Sequence, residues 1–187
     1  MKKHKPADSI QDIQYFGEYG GVNPSIADSS TFTYMAGKTM EMVFGGEREG
    51  CYLYSRHMNP STGYLAEAIA NIENTDAAHV SASGMGSISS TIMQLCKSGD
   101  HIVSSRTIYG GTYAFMKNFL PRLNISTSFV DTTNLHAVKS AICDDTKILY
   151  CETMSNPLLE ISDIKKLAEI AHKNNLKLVV DNTFTPL

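Results

Sequence analysis

The 187-residue chain has no tryptophan and only four cysteines, Cys51, Cys96, Cys143 and Cys151, none of them in a C-x-x-C pair. That scarcity argues against a zinc ribbon and against a disulfide scaffold, so reduced and mostly packed thiols are expected. Its six histidines form no H-E-x-x-H or comparable ligand spacing, and no metal site is expected. No apolar run approaches the length of a membrane span, and no apolar h-region marks the first residues, so a cytoplasmic location is the expectation. Cationic surplus is lacking too. With a net charge of −3 and a pI of about 6.0, the chain carries no electrostatic footprint for nucleic acid. Lys2, Lys3 and Lys5 form the one basic cluster, at a terminus where solvation explains it.

What the chain has is an ordinary globular composition, 42% hydrophobic and 19% charged, with length for one sizeable core. Residues 1–50 follow no period for long and carry Gly17, Gly20, Gly21 and Pro24, which predicts an extended arm. A short helix over Thr39 to Phe44, closed by Gly45 and Gly46, is expected within it. Because Phe32, Tyr34, Met35, Met40, Met42 and Phe44 would leave a lone arm apolar, it should pack on a neighbouring subunit.

From residue 51 to 187 the pattern alternates. Asn59 with Pro60 opens a helix whose buried stripe is Leu65, Ala68, Ile69 and Ile72. Strands are expected at Ala78 to Ala82, His101 to Ser105, Ile125 to Val130, Lys147 to Cys151 and Leu176 to Val180. Between them lie helices: one after Ser83-Gly84-Met85-Gly86 with Met85, Ile88, Ile92 and Leu95 on one face, and one over Gly111 to Leu120 ended by Pro121. Two more are capped by Asn134 and by Ser162, the second closed at Asn174-Asn175. The pattern implies a mostly parallel α/β sheet with helices on both faces.

In such a sheet ligands bind beyond the carboxyl ends of the strands. The residues there include Ser83-Gly84-Met85, Arg106 to Tyr109, Asp131, Glu152 to Asn156, and Asp181. A glycine turn opening a helix gathers unpaired N–H groups and the positive end of the helix dipole, a setting that attracts phosphate. Asp181, after Leu178-Val179-Val180, is a carboxylate near the end of a buried strand, where a partner is expected. That partner could be the turn at Asn182-Thr183, or the protonated ring nitrogen of a pyridoxal cofactor.

These segments together resemble the pyridoxal-phosphate enzymes of cysteine and methionine metabolism, the trans-sulfuration family of cystathionine γ-synthase, the cystathionine lyases, methionine γ-lyase and the homoserine-ester sulfhydrylases. The resemblance is carried by Tyr54-Ser55-Arg56 with Asn59-Pro60, Ser83-Gly84-Met85, Tyr109-Gly110-Gly111-Thr112, Glu152 with Asn156-Pro157, and Val180-Asp181-Asn182-Thr183. It implies the large domain of fold-type I pyridoxal-phosphate enzymes, incomplete at the C-terminus, and a homodimer or homotetramer whose site is shared across subunits. It further implies that Ser83 and the amides of Gly84 and Met85 hold the cofactor phosphate, and that Tyr54 and Arg56 reach a neighbour's phosphate. Tyr109 would stack on the ring and serve in proton transfer, Asn156 would bind the ring hydroxyl, and Asp181 the ring nitrogen.

The family's Schiff-base lysine lies beyond its Asp-Asn-Thr segment, and none of this chain's lysines matches it. The expectation is therefore an N-terminal portion of a longer enzyme, inactive alone. Gly111 stands where methionine γ-lyases commonly have cysteine, as in the cystathionine enzymes and sulfhydrylases. The implied activity is a carbon–sulfur lyase, or γ-replacement on cystathionine, methionine or homoserine esters. Two alternatives are a degenerate dinucleotide turn at Gly84-Met85-Gly86 with Arg106 receiving the 2′-phosphate of NADP, and a non-catalytic assembly partner.

Overall fold

A computed structural model describes residues 18–47 and 51–185, and these divide into two compact units, broken between Val80 and Ser81. Among its described residues the first unit holds a 3₁₀ turn at Glu18–Gly20 and two α-helices, α1 (Gly37–Phe44) and α2 (Pro60–Glu73). Asn59 caps α2 through its side chain, which accepts from the Ser61 N–H at 2.8 Å, and Pro60 occupies the first turn, where its missing N–H costs nothing. The same side chain donates to the Ala27 carbonyl at 2.9 Å, so the cap also ties down the arm. Along the arm, Phe32 N–H donates to the Leu53 carbonyl, Ser55 N–H to the Ser30 carbonyl, and Thr31 bridges antiparallel to Tyr54. The expected stripe of α2 is shifted: Ala68 and Ala70 are buried while Leu65 is exposed. Val22, Ile26, Met35 and Phe44 of the arm are exposed.

The second unit is a four-stranded, fully parallel sheet in the order β2-β1-β3-β4, formed by β1 (His101–Ser105), β2 (Ser126–Val130), β3 (Thr146–Glu152) and β4 (Lys177–Asp181). Its helices are α3 (Gly84–Leu95), α4 (Gly110–Ala114), α5 (Leu135–Ala141) and α6 (Ile164–Lys173). Strand side chains alternate between two cores. Ile102, Ile148 and Tyr150 pack with Ile92 and Cys96 of the α3 segment and with Met116 and Leu120. Val103, Leu149 and Cys151 pack with Val138 of α5 and with Leu167, Ile170 and Ala171 of α6. Both faces are thus covered, as the alternating pattern requires.

Three expectations give way. Ala78 to Ala82 is not a strand: His79 and Ala82 are exposed, and the segment pairs with none of the four strands. An apolar run becomes a strand only when a ladder partner takes its N–H and C=O groups, and none of the described residues does so. The helix after Tyr109 does not stop at Pro121. It widens to a π-turn over Phe115–Phe119 and tightens to a 3₁₀ turn over Leu120–Leu123, where Pro121 sits in the first turn without needing a donor, and Asn124 ends it at φ 59°. Finally, α6 is capped by Asp163, which accepts from the Lys166 N–H, while the Ser162 hydroxyl is buried 3.4 Å from that of Thr132.

Candidate active site

The chain leaves β1 toward β2 on one side and returns to β3 on the other, so the direction of winding reverses between β1 and β3. The carboxyl ends of strands at such a reversal form an open crevice. There, a cleft of about 410 Å³ is lined by Ser83, Gly84 and Met85 with Ile88 of α3, by Tyr109, by Glu152 at the end of β3, and by Asp181, Thr183 and Phe184. Among the described residues, a hollow of about 570 Å³ beside α2 and one of about 610 Å³ along α3 bring together no such set.

Each wall has a local cause. Ser83 caps α3 by accepting from the Gly86 N–H at 3.0 Å, which leaves the N–H groups of Gly84 and Met85 without an intrahelical partner. A Cβ added at Gly84 would meet nothing within 4 Å, so the backbone there is open to an approaching group. Tyr109 precedes α4 and is 57% exposed. Its ring lies over Gly111, where an added Cβ would stand 2.5 Å from Tyr109 Cε1, so any larger residue at 111 would require the ring to move.

Glu152 and Asp181 are register partners on β3 and β4 and so share a face of the sheet. The carboxylate of Asp181 is well supplied with donors. Its Oδ1 accepts from the N–H of Thr183 at 3.1 Å and from the Thr183 hydroxyl at 2.6 Å, and its Oδ2 from the Tyr150 hydroxyl at 3.3 Å. Of the two partners weighed from sequence, the turn at Thr183 is the one present and takes Oδ1, while Oδ2 takes the Tyr150 hydroxyl. Tyr150 is fully buried, and burial followed by the nearby Asp181 charge pushes its hydroxyl well above the ordinary tyrosine range. It stays a neutral donor at any physiological pH.

Glu152 stands in the sequence among the strand-end residues and in the family motif, without an assigned role. It is 4% exposed, and its Oε1 accepts the Tyr109 N–H at 2.6 Å. The signal was available, since a carboxylate after Leu149-Tyr150-Cys151 poses the same question as Asp181 after its own strand.

Of the remaining candidates in the second unit, Asn156 and Arg106 lie apart from this wall. Asn156 is exposed on a hairpin closed by Ser155 N–H to the Glu160 carbonyl and by the 154–161 bridge, and it does not line the cleft. Tyr54 and Arg56 belong to the first unit, where the Arg56 guanidinium sits 4.8 Å from the Tyr54 ring centre. Arg106 is engaged by Asp131 at 3.0 Å and Glu160 at 3.3 Å, which removes the free cation that the NADP alternative needed. No lysine lines the cleft among the described residues.

Comparison with known proteins agrees with this fold. The chain is 48% identical over 97% of its length to methionine γ-lyase of Arabidopsis thaliana, covering 43% of that protein. It is 43% identical over 78% of its length to cystathionine γ-lyase of Bacillus subtilis, covering 38% of it. Among solved structures, an O-acetylhomoserine (thiol)-lyase of Campylobacter jejuni, which carries a pyridoxyl-lysine monophosphate, superposes with a TM-score of 0.91 at 27% identity, over 97% of this chain and 45% of that one. Cystathionine γ-lyase of Lactobacillus plantarum superposes with a TM-score of 0.84 at 33% identity, over 96% and 45%. The chain thus spans less than half the length of the relatives it matches. The family model for Cys/Met metabolism PLP-dependent enzymes matches residues 9–187, and the chain belongs to that family of pyridoxal-phosphate-dependent enzymes.

Proposed function

We propose that the cleft at the carboxyl ends of β1, β3 and β4 is the pyridoxal-phosphate seat of an enzyme that cleaves or exchanges a carbon–sulfur bond in a sulfur amino acid, or replaces the γ-substituent of a homoserine ester. The single observation that carries this reading is convergence: a helix N-terminus, an exposed tyrosine ring and a half-buried aspartate, drawn from positions 83 to 183, line one hollow. The phosphate would be held by Ser83 and the N–H groups of Gly84 and Met85, where dipole and unpaired donors act together. The ring would lie against Tyr109 with its nitrogen at Asp181, and Asn156 would reach its hydroxyl. The chemistry such a group supplies when bound is an electron sink for an amino acid losing its α-proton. Tyr109, whose N–H donates to Glu152, would stack on the ring and move a proton through its hydroxyl. Tyr54 and Arg56 would serve the phosphate of a neighbouring copy, with Arg suited by its planar fork. The exposed apolar side chains of the arm would pack on that copy, in a homodimer or homotetramer located in the cytoplasm.

The covalent anchor is expected outside the described residues, since none of their lysines lines the cleft. Equilibrium dialysis of the 187-residue chain against pyridoxal 5′-phosphate should therefore show reversible binding. Borohydride should trap no adduct at one specific lysine, and no α-keto acid should be released from L-cystathionine, L-methionine or O-acetyl-L-homoserine until a polypeptide bearing the lysine is supplied. Absence of binding would overturn the cofactor seat. A single-lysine adduct would overturn the missing anchor, and release of keto acid from none of the three substrates by the completed enzyme would overturn the substrate class.

A further inference from the structure

Two carboxyl groups stand side by side at the ends of β3 and β4, and their surroundings differ sharply. Asp181 accepts three hydrogen bonds, two from Thr183 and one from Tyr150. Glu152 accepts one, from the Tyr109 N–H, and its Oε2 is buried with no hydrogen-bond partner among the described residues. An ionised carboxylate has about four acceptor sites, and leaving one oxygen of a buried anion bare is costly. No arginine or lysine among the described residues pairs with Glu152. The titratable groups around it are Asp181 on β4, Cys151 and Tyr150 just before it on β3 and Tyr109 beyond β1, while the start of α3 lines the cleft with Ser83, Gly84, Met85 and Ile88.

We infer that Glu152 is a neutral carboxylic acid and a positioning residue, whose Oε1 seats the backbone of Tyr109 and whose protonation leaves Asp181 as the one fixed negative charge of the cleft. Burial first, and the Asp181 charge next, push the Glu152 carboxyl up, against the downward pull of the Tyr109 N–H. A neutral acid suffices for the seating, because the carbonyl-type oxygen of a carboxylic acid accepts an N–H as an amide oxygen does. The benefit of a single charge, one carboxylate for one cationic ring nitrogen, rests on the pyridoxal-phosphate reading. The protonation and the seating do not.

The test uses the protein without cofactor, so that it stands or falls separately from that reading. Infrared spectra at neutral pH should show the carbonyl band of a protonated carboxyl group that is absent from Glu152→Gln and retained in Asp181→Asn. Hydrogen exchange of the Tyr109 amide should stay at the wild-type rate in Glu152→Gln and accelerate roughly tenfold in Glu152→Ala, the loss of one hydrogen bond. If the wild type lacks the band, or Glu152→Gln keeps it, Glu152 is ionised and the inference fails. If Glu152→Gln frees the Tyr109 amide as much as Glu152→Ala does, the seating requires the charge and the inference fails likewise.

Discussion

The two ends of the parallel sheet bury polar side chains to the same degree and use them in opposite ways. At the amino end, His101 is 7% exposed, and both ring nitrogens are occupied, Nδ1 by the Thr146 hydroxyl and Nε2 by that of Ser128, each at 2.9 Å. Thr146 in turn accepts the Cys143 N–H, and Asp100 accepts the Lys97 N–H at 2.8 Å. This polar cluster is closed upon itself. At the carboxyl end, Glu152 is 4% exposed but keeps a bare oxygen, the first N–H groups of α3 have no intrahelical partner, and Tyr109 stands in solvent. Burial of polar groups does not distinguish a structural end from a functional one. The carboxyl end leaves a buried carboxylate oxygen and helix N–H groups over, where, among the described residues, the amino half leaves the single hydroxyl of Thr127.

Substitutions at the two ends should therefore separate binding from stability. The largest effect is expected for Asp181→Ala, which should weaken pyridoxal phosphate binding roughly 10- to 100-fold in equilibrium dialysis, as loss of a hydrogen bond to a charged group of ~1.5–3 kcal/mol implies. At the opposite end His101→Ala should leave that affinity unchanged while lowering stability by ~1–3 kcal/mol in urea unfolding, because the Thr146 and Ser128 hydroxyls lose their partner.

Acid and base should also act in opposite senses at the two ends. Burial pushes the His101 imidazole below its ordinary 6.5, so the unfolded chain binds more protons there. Its contribution is complete above pH 6.5 and is lost as pH falls through the depressed folded value. Glu152 is raised above its ordinary 4.5, so its contribution is complete below pH 4.5 and is lost as pH rises through the folded value. Urea midpoints measured across pH should show His101→Gln flattening the acid-side slope and Glu152→Gln flattening the slope above pH 4.5. The smallest effect belongs to Arg106→Ala. Its guanidinium is 51% exposed, so despite two carboxylate partners the loss should be at most ~1 kcal/mol by the same unfolding measurement.

Much of this was legible in the residues. Alternating apolar runs marked all four strands of the sheet, and Asn59 and Asn134 announced helix starts because a short side-chain acceptor there satisfies backbone donors locally. What escaped depends on partners distant in sequence. Ala78 to Ala82 has the composition of a strand and finds no neighbour to pair with among the described residues. Pro121 breaks an α-helix but opens a 3₁₀ turn. Asp181 stood out by its place after a buried strand, whereas Glu152, at the end of another, needed the β3–β4 register and the Tyr109 loop before its role could be seen. Arg106 looked free until the fold brought Asp131 and Glu160 to it.

The measurement that tests the central claim most directly is a titration of the isotope-labelled protein with pyridoxal 5′-phosphate, followed by backbone amide resonances. The expected result is a set of saturable shifts at Gly84, Met85, Tyr109 and Thr183, with His101, Ser128 and Thr146 unmoved. Shifts centred on the His101 end, or none at the Gly84–Met85 amides, would contradict it.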